Sequence, residues 1–323
     1  MKAIVQDTYG SADVLELRDI DRPEVGDDEV LVRVHAAGVD PGVWHLMTGL
    51  PYLIRIAGYG FRAPKSPVRG NDLAGRVEAV GKNVTEFQAG DEVFGNSDGT
   101  FAEYASAKAN KLALKPTNIS VEQAAAVPTS ALTALQGLRD HGEVQPGQRV
   151  LIVGASGGIG TFAVQLAKAF GAEVTGVCST TKVDMVRSLG ADHVIDYVRD
   201  DFEQMPQRYD VILDMAGNRS LSTLRRALTP EGTLVIVGGE EGGRWLGGTD
   251  RQIRALLLSP FVRQRLRTFL AKEGAEDLLV LKELIESGKV TPVIDRTYEL
   301  REAPDAIRYL DEGHARGKLV LSV

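Results

Sequence analysis

The chain has 323 residues, room for two domains at roughly 150 residues each, and its 43% apolar content supplies sizeable cores. A formal net charge of −7 argues against a nucleic acid partner, because a phosphate backbone needs clustered Lys and Arg. The single cysteine, Cys178, excludes an intrachain disulfide and a Cys-based zinc cluster. No apolar run approaches the ~20 residues of a membrane helix, and Met1 to Val5 lacks a secretion pattern, so the expectation is a cytoplasmic protein with no membrane partner.

In chain order, the first 115 or so residues read as short strands and turns. Val30 to Val34 alternates as a half-buried strand does. Gly70 to Lys82 continues with Val77, Ala79 and Val80, and Gly90-Asp91 turns into Glu92 to Gly95. Many strands between Gly, Pro and Asp turns suggest a small β-barrel-like domain. Ser120-Val121-Glu122-Gln123 resembles a capped helix start, Pro128 should interrupt that helix, and a second helix is expected over Thr129 to Arg139.

From Arg149 the pattern changes to apolar strands alternating with helices. Strands are expected at Arg149 to Val153, Glu173 to Val177, Val194-Ile195, Val211 to Leu213 and Thr233 to Val237. Helices fall at Ile159 to Phe170, after the second strand up to Leu189 with Gly190 as end cap, and at Ser220 to Leu228. That alternation implies a parallel, doubly wound sheet. Strands return at Val290 to Leu300 and Lys318 to Val323 around a helix near Glu302 to Asp311. The division predicted is 1–121 with 291–323, and 122–290. Five arginines, Arg251, Arg254, Arg263, Arg265 and Arg267, read first as solvated helix faces and second as a cofactor or partner surface.

The strongest chemical signal is Gly154-Ala155-Ser156-Gly157-Gly158-Ile159-Gly160, which follows a predicted strand and opens a predicted helix. Glycines let backbone approach a pyrophosphate, and the helix start offers free N–H groups and a positive dipole end. A tight structural turn is the alternative. The second strand runs out at Cys178 into Ser179, Thr180, Thr181 and Lys182. An NAD site would place Asp or Glu there for the ribose 2′-OH. Hydroxyls and a cation suit a 2′-phosphate instead, so Ser179 and Lys182, with Tyr197 a third candidate, point to NADPH; a helix cap plus an exposed Lys is the bland reading.

On Gly70 to Gly75, Ala125 to Pro128, Gly154 to Gln165, Leu189 to Asp192 and Gly313 to Lys318, the chain resembles the zinc-independent quinone oxidoreductase branch of the medium-chain dehydrogenase/reductase superfamily. The resemblance implies an α/β protein with a GroES-like β-barrel-type catalytic domain, a doubly wound Rossmann domain, and nicotinamide and substrate held between them. It further implies that Ser156, Gly158 and Ile159 contact the pyrophosphate, that Ser179 and Tyr197 meet the 2′-phosphate, that Asn218 lies near the cofactor, and that His314, Ala315 and Arg316 close over it. Relatives often dimerise through edge strands of the Rossmann sheet, so a homodimer is expected, with Thr233 to Val237 a contributor.

Zinc-dependent members carry Cys, His-Glu and Cys where this chain has Asp40, Asn71-Asp72 and the neighbourhood of Pro128-Thr129. Oxygen ligands alone make a poor zinc site, so no metal is expected. Without a Lewis acid, alkoxide stabilisation is missing, whereas hydride addition to a quinone or an α,β-unsaturated carbonyl chiefly needs positioning. That small-molecule chemistry is the leading reading. An NADP-dependent alcohol or carbonyl oxidoreductase and a low-turnover NADPH-binding sensor or scaffold are the alternatives. Substrate-side candidates are Asp40, His45 and Tyr52, with Asp40 and His45 a candidate proton relay; Asp40 reads equally as a turn residue before Pro41-Gly42. Trp44 and Tyr52 suit stacking on a flat acceptor or plain packing. The Gly-rich stretch Gly238 to Gly248 is expected to be a mobile flap.

Overall fold

A computed structural model describes residues 1–200, 207–238 and 243–323. The chain forms two compact units: Met1–Leu132 with Glu273–Gly288 and Pro292–Val323, and Thr133–Lys272 with Lys289–Thr291.

The first unit begins with β1 (Lys2–Val5), β2 (Glu16–Asp19) and the long β3 (Glu29–Val39). Helix α1 (Pro41–Thr48) and the single turn α2 (Tyr52–Ile54) follow, then β4 (Asp72–Val80), β5 (Glu92–Asn96), β6 (Tyr104–Lys108) and β7 (Leu112–Leu114). Next come α3 (Val121–Ala125) and α4 (Pro128–Gln136), the latter carrying the chain into the second unit. There, β8 (Arg149–Val153), α5 (Gly158–Ala169), β9 (Glu173–Cys178), α6 (Val183–Ser188), β10 (His193–Asp196) and β11 (Tyr209–Asp214) alternate. Then come α7 (Leu221–Ala227), β12 (Leu228–Ile236), α8 (Thr249–Leu258) and β13 (Arg265–Thr268). The last segments of the first unit are α9 (Ala275–Glu286), β14 (Ile294–Glu299), α10 (Ala303–Asp311) and β15 (Lys318–Ser322).

In the first unit, seven strands form one sheet, ordered β14-β15-β3-β4-β5-β7, with β6 paired to β3. Only β14 and β15 run parallel. The Val30, Val32 and Val34 face of β3 packs with Leu73, Val93, Leu112, Leu319 and Ile307, and register shifts within the β3–β4 pairing bend the sheet. In the second unit all six strands are parallel, ordered β10-β9-β8-β11-β12-β13. Strand order therefore reverses between β8 and β11, the switch point beside which doubly wound sheets bind ligands.

Several expectations need correcting. The boundaries fall at Leu132 and Glu273, because α3 packs on β3 and β4 and α9 on β7, with the Asn118 amide donating to Ile285 O at 2.8 Å. The helix begun at Ser120 ends before Pro128, as expected, and the second helix starts one residue earlier than predicted, at Pro128 itself, as a residue without N–H is tolerated in a first turn. Asp40-Pro41-Gly42, which reads as a turn, is the start of helix α1, with Pro41 in its first turn. The Ser120–Gln123 capping box is present with both of its hydrogen bonds. Thr233 to Val237 lies inside the sheet; β13, absent from the sequence reading, forms its edge. Glu240 and Glu241 of the expected flap lie outside the described residues.

A candidate dinucleotide site and a buried ionic cluster

The turn after β8 belongs to the second unit and is built from backbone. Gly154 has φ +90°, which a residue with a Cβ adopts only under strain. Gly160 is required by packing, since a Cβ there would stand 2.1 Å from Gly154 O. Gly157 differs: a Cβ there would meet only Gly154 O, at 3.6 Å. The protein's own packing does not demand that glycine, so its bareness leaves space over the turn for a ligand. Gly157 is the N-cap of α5 and makes no side-chain capping bond, and Gly158 and Ile159 form the first turn, whose N–H groups lack intrahelical acceptors. Ser156 is buried beside them. A twelve-residue helix thus presents an uncapped positive end at the switch point, a fit for a pyrophosphate.

The loop after β11 is pinned against this turn. Met215 N donates to Val153 O at 3.1 Å. Asp214 is fully buried and accepts a hydrogen bond from Arg251 Nη2, and Gly217 N donates to Asp214 Oδ1 at 3.3 Å. Arg251 Nη1 also reaches Arg219 O at 2.9 Å, so a buried ion pair fixes the backbone on both sides of exposed Asn218. Burial pushes the Asp214 carboxyl up against the pull of Arg251. Arg251 is therefore no solvated helix face. Nor are Arg265 and Arg267 helical: they sit on β13, each 2.8 Å from a Glu143 carboxylate oxygen.

At the end of β9, Ser179 precedes a 3-10 turn, Thr180–Lys182, and makes no capping hydrogen bond. Its hydroxyl is therefore not consumed by capping that turn. Tyr197 N donates to Cys178 O at 3.1 Å, which sets Tyr197, 48% exposed, beside that strand end. One carboxylate stands close: Asp196 pairs in register with Cys178, but its Oδ1 accepts Val198 N at 3.0 Å and its Oδ2 lies 3.6 Å from Arg199. Burial, with Asp196 second, pushes the Cys178 thiol up to about 11.

The remaining predicted residues belong to the first unit. His314, Ala315 and Arg316 lie between α10 and β15, where Arg316 N donates to Asp295 Oδ2 at 3.0 Å. Asp40 caps α1, its Oδ1 accepting Gly42 N at 2.8 Å and Val43 N at 3.4 Å, while its Oδ2 is buried and unpartnered. His45 Nδ1 is 2.8 Å from Leu50 O. Asp40 and His45 thus serve opposite ends of α1, and no hydrogen bond joins them as a relay. Tyr52 lies under the Arg55 guanidinium, 4.9 Å away, and Trp44 packs against the core.

What the sequence reading missed is the environment of Asp72. This fully buried carboxylate receives Thr129 Oγ1 at 2.5 Å, Thr129 N at 3.1 Å and Asn96 Nδ2 at 3.0 Å on Oδ1, and Lys318 Nζ at 3.4 Å on Oδ2. Lys318 and Asp72 sit on strands either side of β3; Asp72 pairs with Gly38, where a Cβ would stand 2.9 Å from the Asp72 Cβ, while Lys318 precedes Leu319, the partner of Val39. Burial first, and Asp40 among the charges, push Asp72 up to about 7 against the pull of Lys318 and Thr129. No group of three His, Cys, Asp or Glu side chains suited to a metal occurs among the described residues, and the cation facing Asp72 is an ammonium.

The family profile described as the alcohol dehydrogenase GroES-like domain matches residues 26–117, and that described as zinc-binding dehydrogenase matches residues 189–321. The chain is 34% identical to 2-methylene-furan-3-one reductase of Solanum lycopersicum, over 99% of this chain and 79% of that protein. It is 35% identical to the chloroplastic NADPH-dependent alkenal/one oxidoreductase of Arabidopsis thaliana, with the same coverage. The solved quinone oxidoreductase from Coxiella burnetii superposes with a TM-score of 0.88 at 31% identity, covering 100% of this chain and 99% of that one.

Proposed function

The chain belongs to the quinone oxidoreductase branch of the medium-chain dehydrogenase/reductase superfamily, and we propose on that premise that it is an NADPH-dependent, zinc-free reductase of quinones or α,β-unsaturated carbonyls. The observation that carries this reading is the uncapped start of α5 under the space left by Gly157, one strand from a terminus bearing Ser179 and Lys182. Ser156, Gly158 and Ile159 would hold the pyrophosphate through backbone N–H groups, with Gly157, whose own N–H donates to Gly154 O at 3.1 Å, leaving the space for it. Ser179, Lys182 and Tyr197 would hold the 2′-phosphate, where a carboxylate would repel it. Asn218, fixed by the Asp214–Arg251 pair, and His314, Ala315 and Arg316 complete the cofactor set. Bound NADPH supplies the hydride.

On the substrate side we assign Asp40, His45 and Tyr52. Asp40 Oδ2 is a buried oxygen without a partner, able to accept a hydrogen bond from a hydroxyl substituent of the electron acceptor. Zinc independence is supported by the donor set: Asp40, Asn71-Asp72 and Thr129 offer no sulfur or imidazole, and a divalent ion at Asp72 would face the Lys318 ammonium. We also propose a homodimer through the edge of β13, beside which α8 exposes Ile253, Leu256 and Leu257. We place the chain in the cytoplasm, where the free thiol of Cys178 stays reduced. The test is NADPH consumption with panels of quinones, enones and simple aldehydes. Turnover of the first two is expected, and activity confined to simple aldehydes contradicts the reading.

A further inference from the structure

Residues 41–71 contain Arg55, Arg62, Lys65 and Arg69 and no Asp or Glu, in a chain whose acids outnumber its bases 44 to 37. Within this acid-free run, Ile56 is 68% exposed and Phe61 73%, with Leu53 and Tyr59 exposed beside them. None of the four packs into the core of the first unit. Arg62 and Lys65 are exposed as well and have no ion-pair partner among the described residues.

The segment is held in place while its apolar side chains face solvent. Arg55 Nε donates to Gly49 O at 2.9 Å and Nη2 to Thr48 O at 3.2 Å, so the guanidinium serves the carbonyl end of α1. The same guanidinium lies 4.3 Å above the Tyr9 ring. The Tyr9 hydroxyl is shared between Gly60 O at 2.7 Å and Tyr59 O at 3.0 Å. Those anchors fix the backbone on both sides of Ile56. Clustered exposed apolar side chains on a fixed backbone mark a surface that is covered in use.

Charge selects what covers it. A second copy of this face would bring Arg62 and Lys65 against their own counterparts, so self-pairing is repelled. Aromatic and aliphatic side chains rimmed by unpaired cations match the boundary between anionic headgroups and acyl chains. We propose that residues 53–65 form a peripheral docking surface for an anionic lipid bilayer. Leu53, Ile56, Tyr59 and Phe61 enter the boundary layer, and Arg62 and Lys65 meet the lipid phosphates. This is contact with a membrane, not a span: no described helix is long and apolar enough to cross one. The net charge of −7 repels the rest of the molecule from the same surface, which orients the docked chain. The proposal rests on this surface alone, independently of the redox reading.

The test is cosedimentation of the full chain with vesicles of phosphatidylcholine alone or with phosphatidylglycerol added. Binding to the anionic vesicles is expected, weakening as salt is raised. Ile56→Ser with Phe61→Ser should lower it at least roughly tenfold, through lost apolar burial. Arg62→Gln with Lys65→Gln should lower it about fivefold per cation. Both variants should keep the wild-type thermal unfolding profile and NADPH affinity. Absent binding, equal binding to neutral and anionic vesicles, or unchanged binding by the variants overturns the proposal. A changed oligomeric state in the serine variant would assign the patch to a second copy. A raised KM for a short, water-soluble quinone with vesicle binding intact would assign it to the substrate; either result also overturns the lipid assignment.

Discussion

The glycine turn after β8 and the Asp72 cluster are both polar constructions in otherwise apolar sheets, yet they are made in opposite ways. The turn uses backbone from seven consecutive residues, and its chemistry is uncapped N–H groups. The cluster uses side chains from four strands and helices, and its defining pair, Asp72 and Lys318, lies 246 residues apart. The first tolerates little steric change at Gly160, where backbone atoms stand against any Cβ. The second tolerates little charge change because its neighbours have left water. Local construction made one readable from sequence, while the other exists only once the fold has formed.

The sharpest way to break this contrast is to remove the buried cation. Lys318→Ala leaves Asp72 without its ammonium, and the first unit should lose about 3–5 kcal/mol, read as a lower denaturant midpoint for that unit. Lys318→Met with Asp72→Asn removes both charges and should recover most of the loss; no recovery would mean that Lys318 matters by shape. The sign of the pH dependence follows from the raised carboxyl. Asp72 sits above its unfolded value, at about 7, so its protonation stabilises the folded state fully below the ordinary Asp range near 4. That contribution is lost as pH rises through about 7. In Lys318→Ala the loss should therefore grow toward alkaline pH, and Asp72→Asn should flatten the slope.

At the turn, Gly160→Ala places a methyl 2.1 Å from Gly154 O. Backbone must shift to admit it, costing about 1–3 kcal/mol or somewhat more and weakening NADPH in parallel, by thermal unfolding and by titration. Loss of stability with cofactor affinity intact would separate the helix packing from the site. Next in size, Ser179→Asp with Lys182→Ala exchanges charge-assisted hydrogen bonds for repulsion, so NADPH should weaken roughly 10–100-fold while NADH changes little. The smallest effect belongs to a purely local feature: Ser120→Ala removes the capping box of α3 and should cost about 1 kcal/mol.

These cases also show what the sequence could reveal. The alternating strands and helices from Arg149 onward, the turn at Gly154 and the cap at Ser120 each depend on neighbours within a few residues. Helix α1 did not, because Asp40-Pro41-Gly42 reads as a turn until the Asp40 carboxylate is seen to cap the following N–H groups. Lys318 opens an apolar strand in the sequence, where a lysine is ordinarily solvated, and nothing local pairs it with Asp72. Arg251 is the same case in the second unit: five arginines within seventeen residues look like one surface, yet one of them is the largely covered partner of buried Asp214. Edge strand β13 was hidden because Arg265 and Arg267 interrupt its apolar pattern, both being paired with Glu143.

The central claim is that a 2′-phosphorylated dinucleotide lies over the turn at 154–160, and titration calorimetry of the cofactor-stripped wild-type protein tests it most directly. NADPH should bind at least roughly tenfold more tightly than NADH, the difference expected of one charge-assisted phosphate contact. Equal affinities would remove the role given to Ser179 and Lys182, and no binding of either would contradict the account as a whole.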